Sequence, residues 1–281
     1  DLMTLSRDFF RIRSRLLTET PLLSPGALTA MMLAVQEQAA DLPIEKKIKE
    51  MLTPQMSIED GIATIPLEGI MMQRPSAMEL LMFGAQDTRS IAYMARQAAD
   101  DPEIKGVVIE VDSGGGMLTG TPEAADAIAA LSKKKPTVTF TDSLMASAAY
   151  WVGSQSRRVV ASRSAQVGSI GVFISFTDFS RLLESVGISV EVIKNKEGTY
   201  KAMGAGGTAL TDEQREYLQD RVNRDFKLFA KEIRKARGEI APDAMRGQTF
   251  SGEEAKRLNL IDQLGDIATA KAIARYLARR N

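Results

Sequence analysis

From Gly61 onward the chain alternates short β-rich runs with amphipathic stretches of helical length, and no other feature limits its fold so strongly. Ile62–Ile65, Gly106–Val111, Thr137–Thr141, Val159–Ala161 and Val190–Ile193 read as strands. Between the first two, Ile91, Met94, Ala95 and Ala98 follow Asp87 at helical spacing. Thr121-Pro122-Glu123 then opens a helix with a cap, a first-turn proline and a first-turn acid, running to about Leu131. Strands separated by helices of this length join through right-handed crossovers, so the class is α/β with a mostly parallel sheet. Pro66 and Glu68-Gly69 are expected to close the first strand in a turn, and Gly114-Gly115-Gly116 to form a tight turn after the second. The last third is helical. Thr211 and Gln214 form a capping box for a long helix that Gly238 ends, and Ser251 with Glu254 forms another.

Residues 1–56 have a different character, a helical lead-in to a main domain at 57–281. Leu2–Leu17 and Pro25–Ala40 are amphipathic, Ser24 suits the N-cap of the second stretch, and a charged run fills 45–50. Lys and Arg balance Asp and Glu at 36 each, which gives no overall attraction to nucleic acid. Apolar runs fall well short of the roughly 20 residues a spanning helix needs, and the chain does not open with a basic-then-apolar leader. It reads as soluble and cytoplasmic, with membrane association only if an upstream anchor has been removed.

The chain has no histidine and no cysteine. That excludes a Ser-His-Asp triad, a thiol nucleophile, histidine or thiolate metal sites and a disulfide framework within it. No cofactor or metal is expected. Acid–base chemistry near neutral pH is left to a perturbed lysine, carboxylate or tyrosine.

Three segments carry candidate chemistry. The glycines after Ser113 leave backbone N–H groups unobstructed at the C-terminal edge of a parallel sheet, which suits an anion, although a plain turn uses the same residues. Neither Gly-Lys-Ser/Thr nor G-x-G-x-x-G spacing accompanies them, which argues against a phosphate loop. Ser147 lies among alanines just past the next strand, at a helix N-terminus that favours developing negative charge and leaves room for a carbonyl. Its plainer role is an N-cap. Lys194, Lys196 and Lys201 follow the last expected strand. A lysine base must fall from about 10.4 toward about 7 or 8, roughly 4 kcal/mol, which burial supplies. Lys201, beside Tyr200 and Ala202-Met203, has the least polar surroundings; a solvated loop charge is the alternative for all three.

Together these segments resemble peptidase family S49, the signal peptide peptidase A family and its phage prohead or capsid-assembly relatives, over about Gly61 to Ala272. Asp112-Ser113-Gly114-Gly115-Gly116 looks like the family's Asn-Ser-Pro-Gly-Gly turn, with Asp and Gly replacing Asn and Pro. Met145-Ala146-Ser147-Ala148-Ala149-Tyr150 is similar to the nucleophile motif in its phage version, and Val167–Val172 to the Gly-Ser-Ile-Gly-Val segment. Gly198-Thr199-Tyr200-Lys201 looks like the lysine loop, and Phe250–Ala255 with Leu260-Ile261-Asp262 like the C-terminal signature. The resemblance implies a ClpP/crotonase-like fold of repeated β-β-α units. It also implies a serine endopeptidase with Ser147 as nucleophile and Lys201 as base. Ser169 would orient the lysine, and the N–H groups of Gly115 or Gly116 and of Ala148 would form the oxyanion hole. Extended peptide or protein substrates, a homo-oligomeric ring and, for the phage branch, a place in the prohead are further implications. Two rivals stand beside this reading: a crotonase-like acyl-CoA enzyme, and a non-catalytic phage head scaffold protein that keeps the fold. For the second, burial or exposure of Lys201 is the discriminating feature.

Overall fold

The computed structural model describes residues 21–23 and 55–280, without the side chains at 21–23, 81 and 82. The helices expected at 2–17 and 25–40, the Ser24 cap and the charged run at 45–50 lie outside the described residues. The strands are β1 (Pro21–Leu23), β2 (Ser57–Glu59), β3 (Ile62–Met72), β4 (Ala85–Asp87), β5 (Gly106–Met117), β6 (Thr137–Thr141), β7 (Leu144–Ala146), β8 (Arg158–Ala161), β9 (Gln166–Gly168), β10 (Thr249–Ser251) and β11 (Gln263–Leu264). The helices are α1 (Ala77–Phe83), α2 (Thr88–Asp100), α3 (Thr121–Lys134), α4 (Ala148–Gly153), α5 (Ser180–Ser185), α6 (Asp212–Arg237), α7 (Gly252–Arg257) and α8 (Ile267–Ala278).

Strand β5 organises the sheet. Along one edge β3 runs parallel to it, from Ile62 opposite Gly106 to Met71 opposite Gly116, with a bulge between Glu68 and Ile70. Its other edge is met in turn by β6 at Val107–Glu110, by β7 at Ser113, both parallel, and by β1 antiparallel at Gly115–Met117. Beyond β6 the sheet continues in parallel through β8 and β11. Beyond β7 it continues through parallel β9 and antiparallel β10. This is the mostly parallel α/β architecture expected from the alternation of strands and helices.

Alternating side chains explain why Val107, Val108 and Ile109 are all apolar while Glu110 is exposed. Val107 and Ile109 pack into the main core with Ile91 and Met94 of α2, Ile128 of α3 and Trp151 of α4. Val108 faces the other way, into a smaller core with Val138, Phe140 and the α8 residues Ala270 and Ala274. Over Val107–Ile109 both faces of the strand are therefore dry, as crossover helices require.

Four local expectations are corrected. Pro66 does not end β3. Opposite β5 its edge meets β2 only at Ile62–Thr64 and β4 only at Ile70–Met72. In that gap the Gln86 side chain stands in for a strand: its Nε2 donates to Pro66 O at 2.9 Å and its Oε1 accepts from Glu68 N at 2.9 Å. A residue without an N–H is tolerated where no backbone partner asks for one. The three glycines are not a free turn but lie near the end of β5, where Gly115 and Gly116 pair with β3 on one side and β1 on the other. Thr121 does not cap α3. Gly120 is the cap, and Thr121 Oγ1 donates to Met117 O at 2.7 Å. Val190–Ile193 is not a strand, and its side chains are exposed. A β-branched run forms a strand only where another backbone can satisfy its N–H and C=O groups.

Candidate active site

Strand β7 ends at Ala146 and α4 begins at Ala148, which leaves Ser147 alone at the junction. Its φ of 54° lies in the left-handed region that a serine seldom adopts, with ψ at −121°. Such a conformation persists only when its surroundings over-determine it. Ser147 N donates to Gly168 O at 2.8 Å, and Ser147 O accepts from Trp151 N at 2.9 Å. Helix α4 is pinned in turn. Trp151 stacks on Phe229 of α6 with ring centroids 4.9 Å apart, and the Tyr150 hydroxyl donates to Leu260 O at 2.8 Å. Burial pushes the Tyr150 phenol well above its ordinary value, against a smaller opposing pull from Arg237, so it stays a neutral donor.

Ser147 is 1% exposed, and among the described residues its Oγ has no hydrogen-bond partner. An unpaired buried hydroxyl costs about 1–3 kcal/mol. Its chain neighbours Ala146, Ala148 and Ala149 are themselves fully buried and carry no polar side-chain atom. The N–H of Ala148 belongs to the first turn of α4, where no acceptor exists inside the helix.

The glycine edge lies alongside. Ser113 lies opposite Met145, so Gly115 and Ser147 each follow two residues after that paired position. Gly115 has φ 96°, and its N–H donates to Ser113 Oγ at 3.2 Å, whose hydroxyl donates to Gly69 O at 2.5 Å. Gly116 is fixed by close approach, because a Cβ there would lie 1.9 Å from Met71 O. Ser169 follows the Gly168 carbonyl that holds Ser147. It is buried with φ 51°, and its N–H donates to Gln248 O at 2.8 Å.

Ser147, Ala148, Gly115, Gly116 and Ser169 are thus gathered at one sheet edge. The lysines are not. Lys194, Lys196 and Lys201 are all exposed, and Lys194 Nζ donates to Thr199 O at 2.8 Å. Their loop is moored to the start of α6: Gln214 Nε2 donates to Thr199 O at 2.9 Å, and Tyr200 stacks on Tyr217 at 4.5 Å.

Two features escaped the sequence reading. One is the pairing of β1 with the glycine edge. The other is the pairing of Asp262, which the sequence marks only as part of the C-terminal signature: it accepts from Val159 N at 2.7 Å and from Arg237 at 2.9 Å, and its charge acts on the buried Tyr150. No local pattern signals either, since the partners are far apart in sequence. Among the described residues there is no cluster of three or more acidic side chains suited to a metal ion, and no helix is long and apolar enough to cross a membrane.

A family model described as Peptidase family S49 matches residues 129–280, slightly more than half of the chain. Capsid assembly protease C of Escherichia phage lambda is 28% identical over 78% of this chain and 49% of its own length. Protease 4 of Salmonella typhi is 30% identical over 67% of this chain and 31% of its own. The chain thus spans about half or less of these curated relatives. Among solved structures, an enoyl-CoA hydratase/isomerase family member aligns over 81% of this chain and 75% of that one, at 16% identity and a TM-score of 0.46. A likeness of that order brings no activity with it.

Proposed function

The chain belongs to peptidase family S49, and on that premise we propose that it is a serine endopeptidase in which Ser147 is the nucleophile and Lys201 the general base. The observation that carries this reading is the enclosed, unpartnered Ser147 Oγ at a strained junction beside the glycine edge. The Ser147 hydroxyl attacks a peptide carbonyl and gives its proton to the neutral lysine amine. The N–H groups of Ala148 and Gly116 face the resulting oxyanion, since that of Gly115 is already donated to Ser113. The lysine returns the proton to the departing amine, and water then releases the acyl group from Ser147. Ser169, next to the carbonyl that positions Ser147, orients the amine.

Lys201 reaches this site through assembly. The segment that carries it exposes Phe179, Leu182, Val186, Ile188, Ile193 and Tyr200, with Ile193 90% exposed. Apolar surface of this extent marks an interaction face, and a neighbouring copy in a ring would cover it and draw water from the lysine. The name of the lambda relative supports a head-assembly protein as substrate.

A peptide-hydrolysis assay on the assembled protein tests the reading. Ser147→Ala and Lys201→Ala should each lower turnover by at least about 1,000-fold, and unchanged turnover in either removes that residue from the mechanism. Exposure of Lys201 is also what a non-catalytic head protein of the same fold would show; complete inactivity of the assembled parent chain would favour that second reading.

A further inference from the structure

We propose that Pro21–Leu23 is a substrate strand built into the chain, seated in the peptidase's own groove and cut after Leu23; this rests on Ser147 being the nucleophile. Three observations converge on it. First, β1 is a three-residue strand whose single neighbour among the described residues is the glycine edge of β5, which it meets antiparallel with Pro21 opposite Met117, Leu22 opposite Gly116 and Leu23 opposite Gly115. Second, β3 already holds the opposite edge of those glycines, so β1 takes the side along which β7 meets Ser113. It therefore continues that edge at the point where β7 stops and Ser147 begins. Third, the direction is productive. Running antiparallel to β5, β1 approaches the β7 end with its C-terminus leading. Gly115, the partner of Leu23, lies two residues beyond Ser113, as Ser147 lies two residues beyond Met145, the partner of Ser113. Of the three carbonyls in β1, that of Leu23 is the one at the level of the nucleophile.

A strand added to a sheet edge is bound through its backbone, and glycine partners leave that backbone unobstructed. The chemistry balances with water as the only co-reactant. Ser147 Oγ bonds to the Leu23 carbonyl carbon, the Leu23–Ser24 C–N bond breaks, and the hydroxyl proton passes through the base to the new Ser24 amine. Water then splits the ester, leaving a Leu23 carboxylate and regenerating the Ser147 hydroxyl. Before the cut, the strand keeps other peptides off the glycine edge.

The test follows the full-length chain by intact-mass spectrometry during incubation, with a fluorophosphonate probe reporting on Ser147 in parallel. The expected result is conversion of the parent chain to a species beginning at Ser24. Ser147→Ala should stay whole. Leu23→Pro, which alters the backbone at the cut bond, should also stay whole while its Ser147 still takes the probe. Probe on Ser147 of a parent chain that remains uncut, or is cut elsewhere, overturns the inference and leaves the peptidase reading intact. A cut after Leu23 that persists in Ser147→Ala overturns it as well, by assigning the cleavage to another enzyme. Failure of both probe and cut removes the peptidase reading and this inference together.

Discussion

Ser147 combines two costs that a purely structural residue would shed, a positive φ and a buried hydroxyl without a partner among the described residues. Replacing it with alanine keeps the backbone strain but removes the unsatisfied oxygen, so Ser147→Ala should melt at the same temperature as the parent or higher while losing activity. A clear fall in melting temperature would show that the hydroxyl holds the fold together. Gly116 makes the opposite case. Its absent Cβ is the space occupied by Met71 O, and Gly116→Ala should cost about 3 kcal/mol in urea unfolding and disturb the site with it. Much at this scale was legible in the sequence. Small residues around a serine past a strand end identify Ser147 as a candidate, and glycines after a buried strand identify the edge. The strain at Ser147 and Ser169 was not legible, because it arises from contacts with Gly168 and Gln248 that only the fold brings together.

Helices were read more accurately than strands, and the reason is physical. A helix satisfies its own backbone and announces its start locally, as Thr211 and Ser251 do with the side chains three residues on. Asp87 is a further instance, capping α2. Burial raises its carboxyl pKa, but the Arg89 guanidinium and the N–H groups of Arg89 and Arg74 outweigh this and hold it below the usual carboxylate range. A depressed folded-state value means that its contribution is complete above the unfolded pKa of about 3.9 and disappears as pH falls through the folded value. Asp87→Ala should therefore lose about 1 kcal/mol near neutral pH and progressively less below about pH 4, as read by urea unfolding at both ends. An equal loss at all pH values would mean that the cap acts without its charge. Strands depend on distant partners. Gly114–Met117 becomes strand because β3 and β1 arrive, whereas Val190–Ile193, with the better strand composition, does not because nothing among the described residues pairs with it.

At the scale of the molecule, the sheet gathers the nucleophile and the glycine edge but leaves the lysine loop on the surface with its apolar neighbours in water. One chain read alone shows which segments contain catalytic residue types; it does not show which of them wait for a second copy. If assembly completes the site, Ile193→Asp should shift the protein from a ring to a single chain in light scattering and lower peptide turnover in parallel. An active parent chain that scatters as a monomer would contradict this. The central claim is that Ser147 is a nucleophile served by Lys201, and mass spectrometry after treatment with a fluorophosphonate tests it most directly. The account predicts labelling of the parent chain at Ser147, no label on Ser147→Ala and none on Lys201→Ala. Full labelling of Lys201→Ala would move the base to Lys194 or Lys196, and an assembled parent chain that takes no label at Ser147 would contradict the account outright.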